Sequence, residues 1–283
     1  MSVGDPREPS TALPAVRAAA TVVLLRDGAT GVEVFLVQRH GSIGFMGGMH
    51  VFPGGKVSDS DARAHVEAHA QDAACTDRHA WGDDVDRDAS FARAVAAIRE
   101  TFEEAGVLLC AQTIGSGAAD ARARLLAGAP FADVLAELRV QLQLNALQPL
   151  SRWITPESEP VRFDTSFYVA RAPSDQVAEH DRTESIAGLW ASPSDALASS
   201  EEGAIRLAPP TARTLEGLAG VPSVDAAIAD AARRAPPLVM PVIRTVGDEV
   251  VIYYPGDPEH PVAEPALPGP TRLVLRRHVG ASR

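Results

Sequence analysis

Apolar runs near the start of the chain predict a β-hairpin. The runs AATVVLLR (19–26) and VEVFLVQR (32–39) are rich in β-branched residues, and the DGATG between them has the composition of a turn. Residues 1–16 contain Pro, Ser and charged residues without a periodic pattern. We therefore expect a flexible N-terminal tail over 1–16 and a folded domain over 17–283.

Helical spacing of apolar residues predicts a long helix in SFARAVAAIRETFEEAGVLL, which starts at Ser90. The residues that recur there every three or four positions are Phe91, Val95, Ile98, Phe102 and Ala105. Such a stripe packs one face of a helix on a core. Ser90 or Asp88 is the predicted N-cap, and Gly106 is the predicted end.

The rest of the chain interleaves further helices and strands. We predict a helical stretch around 120–143, strands in 162–173 and 186–193, helices in 193–203 and 208–220, and a hairpin about Gly247. The irregular segment 62–89, rich in Ala, His and Asp, is interpreted as an insertion with short helical fragments. Because no linker separates these elements, the sequence predicts a single mixed α/β (α+β) domain.

Composition and charge narrow the classes of function. The net charge of −11 argues against a nucleic-acid or anionic-membrane partner, since both require a basic surface. No run of about eighteen apolar residues and no signal-peptide pattern is present, so no membrane partner is expected. The only cysteines, Cys75 and Cys110, are too few for a disulfide framework, and a cytoplasmic location is expected.

Three carboxylates are predicted to project from one side of the long helix. Glu100, Glu103 and Glu104 stand at i, i+3 and i+4, roughly opposite the apolar stripe. Spacing alone is more typical of an ordinary solvated acidic face. The alternative is a side that faces a cleft and binds a ligand.

The glycine-rich stretch GGMHVFPGGKVSDSD (47–61) favours the second interpretation. Glycine lets backbone approach a ligand closely, so Gly54 and Gly55 are candidates to present main-chain N–H groups and oxygen. Mg²⁺ and Mn²⁺ prefer oxygen ligands of the carboxylate and carbonyl type. The combination predicts a divalent-metal site.

The segments GGKVSDSD (54–61) and RETFEEAGV (99–107) resemble the signature of the Nudix hydrolases. That pattern is Gly, five residues, Glu, seven residues, then Arg-Glu-apolar-x-Glu-Glu-x-Gly-apolar, and its second half is matched throughout. The isolated Glu is replaced by Asp61, with Asp59 as the alternative, and the seven-residue spacer is extended to 62–98. The resemblance implies a Nudix-fold α/β/α sandwich with a mixed β-sheet and an insertion inside the box.

The chain is similar in particular to the branch that cleaves coenzyme A and acyl-coenzyme A. The segment VFLVQRHGSIGFMGGMHVFPGG (34–55) carries much of this likeness. The branch pattern has Arg-Ser and a further Arg, whereas here Arg39 precedes His40 and no second Arg lies before Phe52. The resemblance implies metal-dependent hydrolysis of the diphosphate to adenosine 3',5'-bisphosphate and (acyl)phosphopantetheine. The alternatives are ADP-ribose or NADH as substrate, or a non-catalytic Nudix-fold ligand sensor or interaction module.

The resemblance also implies roles for individual residues. The implied metal ligands, for Mg²⁺ or Mn²⁺, are Glu100, Glu103, Glu104 and the carbonyl oxygen of Gly55. Arg99 is expected to orient the cluster through salt bridges. Glu184, six residues before Trp190, is the candidate general base, with a solvated loop acid as the alternative. Arg39 and Gly54 are candidates for binding substrate, although an Arg at a strand end is as often a surface residue.

The insertion contains a weaker signal. Its residues with metal-ligand chemistry are His65, His69, Cys75 and His79, whose spacing is compatible with zinc. The simpler interpretation is a His-rich surface segment that serves as a lid, a homodimer contact or part of the substrate pocket.

Overall fold

The predicted N-terminal hairpin lies at the centre of a mixed β-sheet. The structure is a computed structural model that describes residues 14–42 and 46–276. Most of the predicted tail, residues 1–13, lies outside the described residues. Strand pairing begins at Val16, and the two hairpin strands pair in register from Leu25 opposite Val34 to the turn.

The described residues contain thirteen strands and seven α-helices. The strands are β1 (Val16–Gly28), β2 (Gly31–Arg39), β3 (His50–Val51), β4 (Gly54–Lys56), β5 (Ala70–Gln71), β6 (Leu142–Gln143), β7 (Gln148–Ile154), β8 (Arg162–Arg171), β9 (Ser185–Ala191), β10 (Leu238–Val239), β11 (Val242–Val246), β12 (Glu249–Tyr253) and β13 (Arg272–Arg276). The helices are α1 (Arg63–Val66), α2 (Arg87–Ala105), α3 (Ala118–Leu126), α4 (Phe131–Leu138), α5 (Pro193–Glu201), α6 (Pro209–Leu218) and α7 (Val224–Ala232).

The main sheet contains eight strands and is mixed, as predicted. Its order is β10-β7-β8-β1-β2-β3, with β4 paired to β1 and β9 paired to β2. The pairs β1–β8 and β7–β10 are parallel, and the pairs β1–β2, β2–β9 and β7–β8 are antiparallel. A separate three-stranded sheet is formed by β11, β12 and β13.

The sheet separates two hydrophobic cores, which confirms the α/β/α sandwich. Side chains of a strand alternate between faces, and in β1 Val22 and Leu24 belong to the core that contains α2, α3 and α4. Val23 and Leu25 belong to the opposite core, with residues of α5, α6, α7 and the small sheet. The strand is therefore continuously apolar because it is covered on both faces.

Helix α2 confirms the predicted stripe, but its predicted start is wrong. All five stripe residues are buried. The helix begins at Arg87, and the N-cap is Asp86, whose carboxylate accepts a hydrogen bond from the Ala89 N–H. Ser90 instead lies inside the helix and donates its hydroxyl to the carbonyl of Thr76. Gly106 ends the helix in the left-handed conformation (φ 70°), as predicted.

The predicted helical stretch near 120–143 forms two helices rather than one. Helices α3 and α4 are separated by a turn in which Gly128 has a positive φ of 92°. Pro130, the N-cap of α4, disfavours a helical conformation at the residue before it. The chain therefore reverses at this point, and the two short helices pack against α2 and the insertion.

The other predicted elements are confirmed with small shifts of their ends. These are strands β8 and β9, helices α5 and α6, and the β11–β12 hairpin about Gly247. The segment 62–89 contains short helical pieces, as expected, including α1 and 3-10 turns at Glu67–His69 and Ala73–Arg78. Within the described ranges, no helix is long and apolar enough to cross a membrane.

Candidate active site

The glycine-rich stretch fills a gap in the main sheet. Strands β1 and β2 pair near their turn and then diverge, so that β4 pairs with β1 while β3 pairs with β2. Between them, the carbonyl of Pro53 accepts a hydrogen bond from the Val22 N–H. Two parts of the glycine-rich stretch, His50–Val51 and Gly54–Lys56, are therefore strands of the sheet.

Both glycines of β4 are required by close packing. A Cβ on Gly54 would lie 2.5 Å from the carbonyl oxygen of Ala20, and a Cβ on Gly55 would lie 2.4 Å from Oε2 of Glu100. Distances below 3.0 Å are too short for real Cβ contacts. Gly55 therefore leaves the space in which the Glu100 carboxylate lies directly against the sheet.

The acidic side of α2 faces this strand and not bulk solvent. Glu104 is only 5% exposed, and its Oε2 accepts a hydrogen bond of 3.0 Å from the Gly54 N–H. The side chains of Glu100 and Glu103 retain 15% and 19% of their exposure. An ordinary solvated acidic face is therefore excluded for Glu104. The Gly54 N–H that the sequence suggested for substrate is donated to this carboxylate.

Arg99 organises the acidic cluster through several partners. Its guanidinium donates to Glu100 at 2.8 Å, to Glu103 at 3.1 Å and to the carbonyl of Lys56 at 2.8 Å. It also forms a two-bond ion pair with Asp61, at 2.7 and 2.9 Å. The expected orienting role of Arg99 thus has a direct geometric basis.

Asp61, rather than Asp59, is the acid that joins the cluster. Asp61 is fully buried in its ion pair with Arg99, whereas Asp59 is exposed. The second oxygen of Asp61 also accepts from the Ser58 N–H, which holds a short 3-10 turn at Asp59–Asp61. The acid therefore contacts the cluster through Arg99 and anchors the segment that enters the insertion.

Crowding of buried carboxylates raises the pKa values of the glutamates. Burial and the charge of Glu100 raise the pKa of Glu104 to about 8 and that of Glu103 to about 7. Burial also raises the pKa of Glu100, against the opposing effect of Arg99. Each carboxylate is therefore short of compensating positive charge.

Arg39 and Glu184 lie together beside this cluster. Arg39 ends β2 opposite Ser185, and the His40 N–H donates to the carbonyl of Glu184 at 2.8 Å. Arg39 lowers the pKa of Glu104, while the charge of Glu184 raises it, so both groups are within electrostatic reach. The Nε of Arg39 is buried and has no hydrogen-bond partner among the described residues.

A cavity opens where these residues meet. It has a volume of about 350 Å³ and is lined by Arg39, His40, Ser42, Thr183 and Glu184. The Glu184 side chain is exposed at this position. The lining of the cavity includes one guanidinium and one carboxylate, those of Arg39 and Glu184, and both act electrostatically on Glu104 of the acidic cluster.

Two residues of this region were missed by the sequence analysis. Asp181 accepts hydrogen bonds from the N–H groups of Glu184 and Ser185 and so shapes the loop before β9. The run Asp-Arg-Thr-Glu-Ser (181–185) contains the Asp, Thr and Ser that favour turns, so a turn signal is present in the sequence. Arg122, which binds the end of α2, has no sequence signal, because its partners are backbone carbonyls distant along the chain.

The chemistry of the donor set fits a hard divalent cation. Glu100, Glu103 and Glu104 supply carboxylate oxygens, which hard divalent cations prefer. Each of these carboxylates uses only one oxygen in the hydrogen bonds described above. The backbone of Gly55 lies beside the carboxylate of Glu100. Two of these carboxylates bind Arg99 and the third binds Gly54. In the described chain, no group of three or more His, Cys, Asp or Glu is arranged as a metal centre. This holds equally for the four residues considered for zinc.

Comparison with known proteins identifies relatives over most of the chain. A family model described as "NUDT19 Nudix domain" matches residues 64–218. The protein "Acyl-coenzyme A diphosphatase NUDT19" of Gallus gallus is 30% identical, with 90% of this chain and 82% of that protein covered. The protein of the same name from Homo sapiens is 27% identical, with coverages of 81% and 72%.

A solved structure shares the fold. The crystal structure of a NUDIX hydrolase from Alicyclobacillus acidocaldarius superposes with a TM-score of 0.62 at 30% sequence identity. The match covers 77% of this chain and 97% of that chain. The sheet with its covering helices is therefore an arrangement found in an experimental structure.

Proposed function

Because this chain belongs to the NUDT19 type of Nudix hydrolases, we propose that it hydrolyses the diphosphate linkage of coenzyme A or acyl-coenzyme A. The products are adenosine 3',5'-bisphosphate and (acyl)phosphopantetheine. Support for the substrate comes from the relatives that carry the name acyl-coenzyme A diphosphatase and match most of this chain.

The observation that carries the proposal is the position of the three glutamates of α2 against β4. Glu104 is bonded to the backbone of Gly54, and Glu100 fills the space that Gly55 leaves open. Arg99 donates to Glu100 and is itself held by Asp61. A rigid set of oxygen donors beside an open cavity is suited to binding a phosphoanhydride through a cation.

Nudix hydrolases generally use divalent metal ions, and we propose Mg²⁺ or Mn²⁺ for this chain. Glu100, Glu103, Glu104 and the carbonyl oxygen of Gly55 would hold the ion. When bound, such an ion offsets phosphate charge and lowers the pKa of water. Such a cation would help a chain of net charge −11 to bind a polyanionic substrate.

Arg39 and Glu184 are proposed to act on the substrate side of the cluster. The buried, unpartnered Nε of Arg39 supports a guanidinium that is held ready to donate to a phosphate oxygen. The carboxylate of Glu184 lines the same cavity and is proposed to accept a proton from the attacking water. Arg99 is proposed to orient the glutamates through its hydrogen bonds to Glu100 and Glu103.

We also propose a single domain over 17–283 and a cytoplasmic location. Both hydrophobic cores are built on the two faces of one sheet, which supports the single domain. Neither Cys75 nor Cys110 forms a disulfide, which is consistent with a reducing compartment.

The substrate is tested by incubating the purified protein with coenzyme A, an acyl-coenzyme A, ADP-ribose and NADH, each with Mg²⁺ or Mn²⁺. Products are separated by chromatography and identified by mass. We expect adenosine 3',5'-bisphosphate from the first two compounds and the highest kcat/KM for one of them. A higher kcat/KM for ADP-ribose or NADH would overturn the proposal that coenzyme A or an acyl-coenzyme A is the substrate. If none of these compounds is hydrolysed, the alternative of a non-catalytic ligand sensor would be favoured.

A further inference from the structure

The loop that carries Glu184 is attached to the end of the glutamate helix. The last carbonyls of a helix have no partner within the helix and must be satisfied by other groups. In α2 the carbonyl of Ala105 accepts a hydrogen bond of 2.8 Å from the N–H of Glu179. The segment 179–185 thus begins at the helix end that bears Glu103 and Glu104.

One side chain joins the same two elements. Arg122 of α3 donates through two nitrogens to the carbonyl of Glu103, at 3.0 and 2.8 Å. One of these nitrogens also donates to the carbonyl of Glu179 at 2.9 Å. A single guanidinium therefore links the last turn of α2 to the first residue of the loop.

The glycine that ends α2 makes room for this contact. A Cβ on Gly106 would lie 2.9 Å from a terminal nitrogen of Arg122, and the residue also has a positive φ. Any larger residue at position 106 would therefore require the Arg122 guanidinium to shift and would also strain the backbone. Gly106 thus ends the helix and also leaves space for the Arg122 guanidinium.

The other end of the loop is equally restrained. Asp181 accepts from the N–H groups of Glu184 and Ser185, both at 2.9 Å, and from the hydroxyl of Thr183. The carbonyl of Glu184 accepts from His40 at 2.8 Å. The backbone on both sides of Glu184 is thus bonded, and Glu184 lines the cavity.

We propose that Arg122 is a positioning residue that fixes the segment 179–185, and with it Glu184, relative to the glutamates of α2. The inference rests on the proposed function for its catalytic consequence. Among the described residues, the hydrogen bonds of Arg122 go to backbone carbonyls, and Arg122 does not line the cavity. The charges of Asp181, Glu179 and Glu104 also reach its guanidinium, which favours its charged form at this position. Arg122 therefore affects the placement of reacting groups and not the binding of substrate.

The test compares Arg122→Gln and Arg122→Lys with Arg124→Gln. Arg124 lies on the same helix and forms an exposed salt bridge with Glu137, so its replacement controls for the loss of a positive charge on α3. With coenzyme A and Mn²⁺ we expect Arg122→Gln to lower kcat about 10- to 100-fold with KM nearly unchanged, because small misplacement of catalytic groups has effects of this size. Arg122→Lys is expected to be intermediate, since an ammonium group cannot bridge carbonyls as a planar fork does.

Hydrogen–deuterium exchange provides a readout independent of activity. The amides of Glu179, Glu184 and Ser185 should exchange faster in both Arg122 variants than in the wild type. In Arg124→Gln their exchange should be unchanged. Unchanged exchange in these amides would overturn the inference even if kcat fell. An inactive wild type would overturn the proposed function alone, because the exchange experiment would still decide whether Arg122 holds the loop.

Discussion

At the scale of single residues, the environment of Glu104 decides its chemistry. Its carboxylate is buried, is bonded to one backbone N–H and lies close to Glu100. Burial and this neighbouring charge raise its pKa to about 8. The unbound protein thus holds a carboxylate that is costly to ionise, and a divalent cation would remove this cost.

Glu104→Gln is expected to lower kcat by at least about 100-fold, on the scale seen when one charge-stabilising group is removed from an active site. The same substitution should increase the stability of the folded protein at neutral and higher pH. A carboxyl whose pKa is raised from 4.5 to about 8 in the folded state causes stability to fall as pH rises through that interval. Measured with a chelator present, the Tm of Glu104→Gln should equal that of the wild type near pH 5 and exceed it at pH 8.

Glu137→Gln is the matched control, since that carboxylate is exposed on α4 and should alter neither turnover nor the pH dependence of Tm. The interpretation of Glu104 fails if its glutamine variant retains turnover, or if it melts below the wild type at pH 8.

At the scale of elements, the site depends on how closely α2 approaches β4. The diverging strands β1 and β2 leave room for the glycine-rich strand, and its missing side chains allow the helix to bring carboxylates to the backbone. Gly55 pairs with Ala20 in an ordinary extended conformation. Its requirement for glycine is therefore a matter of space and not of backbone angles.

Gly55→Ala should remove activity more than stability. The added Cβ would displace the carboxylate of Glu100, and displacement of about 1 Å is expected to lower kcat roughly 100-fold. Overpacking at one site is expected to reduce the free energy of unfolding by about 1–3 kcal/mol. The measurements are kcat and urea unfolding, with Gly115→Ala as the control, because a Cβ at Gly115 meets no atom within 4 Å. Full activity in Gly55→Ala would contradict the conclusion that the site depends on the close approach of α2 to β4.

At the scale of the whole molecule, a buried ionic network joins the insertion to the sheet and to α2. Asp164 of β8 accepts from Arg93 of α2 at 2.6 Å and from Arg152 of β7 at 2.8 Å. Arg152 also donates to Asp84 and to the carbonyl of Trp81, both in the insertion. Burial raises the pKa of Asp164, but the two arginines outweigh it and hold the pKa below its usual value.

Replacing Asp164 with Asn should destabilise the protein by about 3–5 kcal/mol, because two buried guanidinium groups lose their shared counter-ion. The effect should be largest above pH 4 and shrink as pH falls, since a lowered pKa contributes stability only while the carboxylate is ionised. Denaturant unfolding at several pH values measures both quantities.

Asp84→Asn serves as the comparison within the same network. The Asp84 side chain is 68% exposed, so its replacement should change the free energy of unfolding by only about 0–1 kcal/mol. Equal losses in the two variants would show that the network is not centred on Asp164.

Local patterns predicted much of the fold and part of the site. The apolar runs predicted β1 and β2, and helical spacing predicted the face of α2 that is buried. Boundaries were less accurate, because the cap of α2 at Asp86 depends on the backbone angles of one residue and not on periodicity. The break between α3 and α4 was missed, although Gly128 and Pro130 are visible in the sequence.

The sequence by itself determined the hairpin of β1 and β2, the buried face of α2, the spacing of Glu100, Glu103 and Glu104, and the likeness to Nudix hydrolases. These features depend on neighbouring residues, whose periodicity is set by helix and strand geometry. Only the tertiary structure decided that Asp61 pairs with Arg99 across the insertion, that Glu104 is buried, and that Arg122 holds the loop of Glu184. Such contacts join residues distant along the chain, so they arise only when the sheet and its helices pack together.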